Sequence, residues 1–455
     1  MIMKKHNETL LMVVMLTVTL SSMSVLLFNF VLPLIREEFQ LTSSQVSWVT
    51  SSYTLLYGIG TAIYGKLADR YQLKYLLTFG LVVFCLASLL GFFSTSYWLL
   101  LVARSIQAIG AAAIPATATL IPIRYYPIEQ RGKAMGTVFA GLALGSALGP
   151  ITSAMVVSVL DWRWLFVIPL LLVFTLPIYL KLLGDEQVVE TKIDWLGGAL
   201  LALSVAQILL SATIHIAWLI GGGVALISFI ARIRYAKDPF VQPKLFQNRE
   251  YRFYLILAFI VTGIGYSLFF TTPLFLAEVH TLQASIIGLV MVPAAAVTAI
   301  LNRQGGKLAD RKGPNVLFFV AASLLCSCFL LLSTFIGANV WIIACFLILG
   351  YLGQSFMAIV MSRAISLTLP ANQSGIGMGL LMMQNFIAGS IAIGIYSRVI
   401  DIETSRSWNP LSPHLSGSVF SNLFLALAIL CVTVFIIYSY RLRMNPKKSL
   451  HEFEG

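Results

Sequence analysis

Runs of about twenty apolar residues recur from one end of the chain to the other, and each is long enough to cross about 30 Å of hydrocarbon as a helix. Charged or Pro/Gly-rich breaks separate fourteen such spans. The first seven run roughly from 10 to 34, 45 to 66, 75 to 93, 97 to 121, 133 to 157, 163 to 183 and 194 to 213. The other seven run roughly from 217 to 235, 253 to 277, 283 to 303, 315 to 336, 341 to 362, 375 to 399 and 419 to 440. Of 455 residues 58% are hydrophobic and 11% charged, with a mean hydropathy of +0.89. That is far more apolar surface than a soluble core buries. One helical bundle in a lipid bilayer takes up nearly all of it.

The first run begins behind Lys4 and Lys5, as a signal peptide would, but continues to Pro33 without a small-residue cleavage site, so it reads as a retained helix. The five cysteines (Cys85, Cys326, Cys328, Cys345, Cys431) lie inside apolar runs. They lack the flanks of a metal knuckle or a disulfide pair and read as small core residues, with no metal or other cofactor expected. A net charge of +12 would suggest nucleic acid in a soluble protein. Here the charges sit in the breaks between spans, so no nucleic-acid partner is expected. With a cytoplasmic N-terminus, 25 of the 30 Lys and Arg fall in or beside cytoplasmic segments, four fall outside (Arg36, Arg163, Arg398, Arg406), and Arg104 is intramembrane. The positive-inside rule then places both termini in the cytoplasm of a multi-pass cell-membrane protein.

Gly65-Lys66-Leu67-Ala68-Asp69-Arg70 returns letter for letter as Gly306-Lys307-Leu308-Ala309-Asp310-Arg311. The first copy follows span 2 and the second span 10, which predicts two parallel halves about an axis along the membrane normal. Halves of six helices would put the second copy after span 8, so two helices have been inserted. The expected division is a first half over 1–190, the inserted pair and a charged connector over 191–252, a second half over 253–441 and a tail over 442–455.

On these residues the chain resembles the major facilitator superfamily, and within it the fourteen-helix drug:proton antiporters, a branch that includes tetracycline and quaternary-ammonium exporters. The repeated hexapeptide looks like the family's loop between helices 2 and 3. The resemblance implies a conformational latch at Gly65, Asp69, Arg70, Gly306, Asp310 and Arg311, with Gly65 permitting a tight turn; Gln72-Leu73 depart from the family's Gly-Arg. Arg104-Ser105-Ile106-Gln107-Ala108-Ile109-Gly110 is similar to its intramembrane Arg-x-x-Gln-Gly-x-Gly, with Ala108 departing. A buried Arg is costly unless partnered and is functional by default, with Ser24, Asn29 and Gln107 at partner depth; the alternative is a side chain that snorkels outward. Gly141, Gly145 and Gly149, followed by Pro150, resemble the antiporter signature and put small residues on one face beside a kink. Arg131 to Gly136 and Trp162 to Phe166 also look like family segments, the latter fitting an interfacial aromatic belt.

The fold implied is all-α and integral to the membrane: a major facilitator fold of fourteen transmembrane helices, two six-helix halves plus two inserted helices. It implies a central cavity for which Asn29, Tyr53, Tyr57, Gln107, Tyr266, Phe269, Gln354, Gln384 and Asn385 are candidate lining residues. Their aromatic faces and neutral amides suit flat amphipathic drugs such as fluoroquinolones and planar dyes. Proton coupling needs a titrating group, yet none of the eighteen Asp and Glu falls at mid-membrane. The family's helix 1 acid aligns near Ser24. The remaining candidates are boundary acids, Glu278 first, then Asp161, Glu37 and Glu38, with Arg104 setting the local potential; a hydrated interfacial carboxylate is the alternative reading of Glu278. A metabolite facilitator or symporter on the same fold is the runner-up, and would need a charged mid-membrane site. An integral membrane enzyme would need a reactive cluster, whereas His6, His215, His280, His414 and His451 are dispersed.

Overall fold

The computed structural model describes residues 2–184, 194–237, 239–369, 374–402, 407–410 and 417–444. Among them, fourteen helical passages follow one another, named here α1 to α14. The first, α1, comprises Ile2–Leu27, a 3-10 turn over Phe28–Val31 and Leu32–Glu38. Next come α2 (Ser43–Arg70), α3 (Leu73–Phe92), α4 (Tyr97–Ala111 and Ala113–Tyr125) and α5 (Ile128–Val159). The sixth, α6, is a run of short 3-10 and α pieces from Trp162 to Leu182, followed by α7 (Trp195–Thr213) and α8 (Trp218–Tyr235). The last six are α9 (Arg249–Glu278), α10 (Ala284–Lys312), α11 (Pro314–Thr334), α12 (Val340–Leu367), α13 (Ser374–Ile400) and α14 (Ser418–Met444). Among the described residues eleven helical stretches are long and apolar enough to cross a membrane, and Leu148–Val159 and Trp195–Ser211 are shorter apolar helices. Burial inside helices satisfies the backbone where lipid offers no partner.

The packing repeats with an offset of eight. The first six helices pair α1 with α5, α2 with α4, α3 with α4, and α3 with α6. The last six pair α9 with α13, α10 with α12, α11 with α12, and α11 with α14. The two sets meet along α2 against α13 and α5 against α10, which are the same contact under the same offset. Helices α7 and α8 pack on each other, and α7 lies over the α2/α13 seam. A second apolar cluster fills that junction: Leu55 and Ile59 of α2, Leu201 and Val205 of α7, Phe229 and Ile233 of α8, and Met383 and Ile387 of α13.

The structure corrects the expected turn at the repeated hexapeptide. Gly65 and Gly306 lie inside α2 and α10, with neither at positive φ. The chain reverses later, at Tyr71-Gln72 after the first copy and at Gly313, φ +83°, after the second. Helix α2 persists to Arg70 because its last carbonyls find partners: Tyr71 N–H donates to Leu67 O at 2.8 Å and Arg124 Nη2 to Ala68 O at 2.8 Å. The side chains of Asp69 and Asp310 lie outside the described ones, as does the tail from 445 onward. The Trp162-Arg163-Trp164 segment is also corrected: Trp164 is exposed as a belt residue would be, but Trp162 is buried and donates Nε1–H to Glu38 at 2.6 Å.

Candidate functional site

Arg104 is fully buried in α4, which disposes of snorkelling. Its guanidinium lies 3.9 Å from the Tyr53 ring centroid and 4.3 Å from that of Phe28. Nη1 donates to Gln107 Oε1 at 2.6 Å, and Gln107 Nε2 donates on to Ser88 Oγ at 2.8 Å. No carboxylate joins this group among the described ion pairs, so two aromatic faces and an amide stand in for a counterion. Gln107 is thereby committed to Arg104 and Ser88. Asn29 accepts from Thr50 Oγ1 at 2.8 Å and ties α1 to α2.

The glycines of α5 face α1. A Cβ on Gly145 would stand 1.9 Å from Ser22 Oγ and 2.3 Å from Thr19 O, and one on Gly141 2.7 Å from Met15 O. Gly149 is looser, with its nearest neighbour at 3.4 Å. The close approach lets α1 hydroxyls reach the α5 backbone: Thr19 Oγ1 lies 3.1 Å from Gly141 O, and Ser22 Oγ lies 3.3 Å from Leu142 O. Pro150, inside the continuous helix α5, lies beside Gly288 of α10, where the two sets of helices meet.

At the seam, Tyr53 and Tyr57 stack at 5.8 Å, and Tyr57 meets Phe386 of α13 edge-on at 4.7 Å. Phe386 sits against Gly58, and Tyr266 of α9 against Gly389. Phe269 packs on Tyr266 and Tyr351. Gln384 donates to Leu255 O at 2.7 Å, and Asn385 accepts from Thr262 at 3.1 Å. Gln354 covers Gly265, its Oε1 buried and unpartnered. The structure therefore brings Tyr53, Tyr57, Tyr266 and Phe386 to one seam and uses Asn29, Gln107, Gln384 and Asn385 to join helices.

The end of the bundle where α1 meets α2 and α13 stops is held shut across the seam. Arg36 of α1 pairs with Glu278 of α9. Asp401, just past α13, accepts from the backbone N–H groups of Ser43 and Ser44 at 2.7 Å each. Helix α2 has its own capping box: Thr42 Oγ1 accepts from Gln45 N–H, and Thr42 N–H donates to Gln45 Oε1. Asp401 supplies the acceptors that this box leaves out. A cavity of about 1720 Å³ opens over the closure, lined by Arg36, Ser44, Trp48, Trp98, Glu278 and Asp401 among others. Glu37 also lines it, whereas Glu38 pairs with Arg163, which Asp161 holds at 3.1 Å. Asp401 is not legible in the sequence because its partners are main-chain N–H groups some 360 positions away.

At the other end, the connector is not a free loop. Asp194 caps α7 through Gly197 N–H at 3.0 Å and also accepts from Arg232 Nε at 3.1 Å and Phe240 N–H at 3.3 Å. Lys66 of the hexapeptide donates to Pro239 O at 2.5 Å and lies over the Phe240 ring.

These features define a class of protein: an all-helical membrane protein whose two six-helix sets share one packing scheme and meet along a seam closed at one end by polar contacts. The sequence model of the Major Facilitator Superfamily matches residues 14–393, and the chain belongs to that family; its many long apolar helices make it a multi-pass membrane protein. It is similar to Multidrug resistance protein 3 of Bacillus subtilis, 29% identical over 323 residues, a match covering 67% of this chain and 62% of that protein. It is similar also to the lincomycin resistance protein LmrB of Listeria monocytogenes, 28% identical, covering 64% of each. The chain thus spans less than two thirds of the length of either relative. Among solved structures, a bacterial homolog of the human lysosomal transporter Spinster, inward-facing and unoccupied, shares the fold with a TM-score of 0.63, 17% identity and 95% of each chain covered.

Proposed function

We propose that this protein is a proton-coupled antiporter that exports amphipathic drugs across the cell membrane by alternating access. In this reading all fourteen passages cross the bilayer and both termini are cytoplasmic. Residues 1–190 and 253–441 form the two rocking halves, 191–252 hold the inserted pair with its connector, and 442–455 form a tail. The observation that carries the reading is the polar closure between the two sets of helices. Two halves joined at one end by Arg36 with Glu278 and by Asp401 with Ser43 and Ser44 have a contact that can break and reform as a unit. By the distribution of Lys and Arg that end is the outer one.

Drug export draws support from the names of the two resistance relatives and from the seam aromatics, which offer faces for planar molecules. A site without a mid-membrane carboxylate favours neutral or zwitterionic cargo over a bare cation, whose countercharge it lacks. Glu278 is the foremost coupling acid, because its partner Arg36 belongs to the other half and its surroundings change as the halves part. The latch role of Gly65, Asp69, Arg70, Gly306, Asp310 and Arg311 becomes, in this reading, a motion of helix ends rather than of a loop.

The test is efflux of a planar cationic dye and of a zwitterionic fluoroquinolone from cells expressing the protein, with and without a protonophore. Protonophore-sensitive export of the zwitterion is expected. Export that persists without a proton gradient would refute the coupling, and export of neither compound would refute the drug reading.

A further inference from the structure

We propose that Arg104, Tyr53 and Ser24 receive the carboxylate of a planar aromatic cargo, so that the substrate itself supplies the countercharge at this point of the bundle. The proposal deepens the drug-export reading and rests on it for its use in transport. Its geometry starts from four side-chain atoms that are buried without a hydrogen-bond partner and gather where α1, α2 and α4 come together: Nη2 of Arg104, the Tyr53 hydroxyl, Ser24 Oγ and Ser21 Oγ. Arg104, Tyr53 and Ser24 are each 0% exposed, and Ser21 is 1% exposed. The two serines lie a turn apart on α1, Ser24 beside the Tyr53 hydroxyl and Ser21 beside that of Tyr57. Buried polar groups are nearly always satisfied, and a cluster of exceptions calls for a reason.

These atoms select the ligand. The guanidinium uses its other nitrogens inside the protein, Nη1 on Gln107 Oε1 at 2.6 Å and Nε on Val49 O at 3.4 Å, so Nη2 is the one left to donate elsewhere. Arginine can only donate, and the partner it calls for is therefore an acceptor. A carboxylate is acceptor-only: its two oxygens match one guanidinium N–H and hydroxyls that turn toward it, and its charge answers that of Arg104. The fold already carries the cost of burying the guanidinium, so a ligand sets the ion pair against the desolvation of its own charge alone. The aromatic part of the cargo is matched as well. From the guanidinium a ladder of rings runs to the other set of helices: Tyr53 at 3.9 Å, Tyr57 stacked on it at 5.8 Å, and Phe386 of α13 edge-on at 4.7 Å. A flat ring laid along that ladder as the seam opens brings its carboxylate to the Arg104 end. A buried water would satisfy the same donors whatever the cargo, and it makes a different prediction.

Equilibrium binding of radiolabelled naphthoate and of the neutral, isosteric naphthamide to the purified protein separates the two, at about pH 7 where a carboxylic acid is ionised. The native protein should bind naphthoate about tenfold more tightly than naphthamide, the worth of a charge-assisted hydrogen bond. Arg104→Met should lose that preference. Tyr53→Phe keeps a ring over the guanidinium but removes the hydroxyl, and should narrow it. Ser24→Asp supplies a carboxylate from within the chain to the same donors, so it should weaken naphthoate by about tenfold and leave naphthamide unchanged, the retained naphthamide showing that the variant is folded. Equal affinity of the native protein for the two compounds, a naphthoate preference that survives Arg104→Met, or one undiminished in Ser24→Asp would each overturn the proposal, and equal affinity is what a buried water predicts. None of these outcomes depends on transport. Naphthoate held by Arg104 in a protein that exports no drug would sink the drug-export reading and leave the binding site standing, while equal binding with export intact would do the reverse.

Discussion

Arg104 is where cost and purpose separate most cleanly. Its charge is fully buried against Phe28, Tyr53 and Gln107 with no acid partner described, so it makes the fold less stable than a neutral side chain of equal volume would. Arg104→Met should accordingly melt no lower than the native protein in detergent, while transport falls by about tenfold or more. A drop in melting temperature that accounts for the lost transport would make Arg104 a structural residue. Glu278 behaves oppositely. Its ion pair with Arg36 is about a third exposed on each side, so Glu278→Gln should cost less than about 1 kcal/mol in a thermal unfolding assay. Both residues were legible in the sequence as types: an intramembrane Arg and a boundary acid. Gln107 was legible as a partner of Arg104, one helical turn away, but Phe28 with Tyr53, and Arg36 with Glu278, were not, because they are brought together only by packing between helices.

Among the helices, the glycines differ in what they permit. Gly145→Ala would drive a Cβ into Ser22 Oγ and Thr19 O, forcing α5 from α1 at a cost of about 1–3 kcal/mol. Gly65→Ala meets nothing within 4 Å and lies in the helix, so it should stabilise α2 by up to about 1 kcal/mol. Thermal unfolding of the two variants side by side checks both, and a destabilised Gly65→Ala would restore the turn that the hexapeptide suggested. The four-residue glycine spacing was readable as a close-packing face, since that follows from helix geometry alone. The misread turn at Gly65 shows the converse. Glycine is also tolerated inside a helix whose end is capped from elsewhere, and Arg124 on Ala68 O is such a cap.

The inserted pair is anchored by one carboxylate. Burial alone would raise the Asp194 pKa, but the N–H of Gly197, the Arg232 guanidinium and the N–H of Phe240 outweigh it and hold it below its ordinary value of 3.8. A lowered pKa means that the stabilisation is complete above about 3.8 and fades only as pH falls further. Hydrogen exchange at the start of α7 should therefore stay constant from about pH 5 to 8 after correction for the intrinsic rate, whereas Asp194→Ala should loosen it by about 1–2 kcal/mol. A pH response of that segment within this range would mean that Asp194 is not held as described.

For the whole molecule, the offset of eight in both sequence and packing is the deepest regularity. The exact hexapeptide repeat predicted it, and most span boundaries fall within about five residues of the observed helix ends because apolar length is dictated by the bilayer; α1, which starts at Ile2, and α10, which runs on to Lys312, extend further through polar residues. What the sequence could not disclose is which end is closed, since that is a property of one conformational state and of contacts such as Asp401 with Ser43. In the proposed cycle, opening and closing of this seam exchanges protons for drug. Purified protein in liposomes carrying an internal pH-sensitive dye tests it most directly: an outward drug gradient is imposed with no initial pH difference. Exchange predicts that drug leaving the lumen acidifies it, and that the acidification disappears in Arg104→Met. Drug efflux with no accompanying proton movement would contradict the claim.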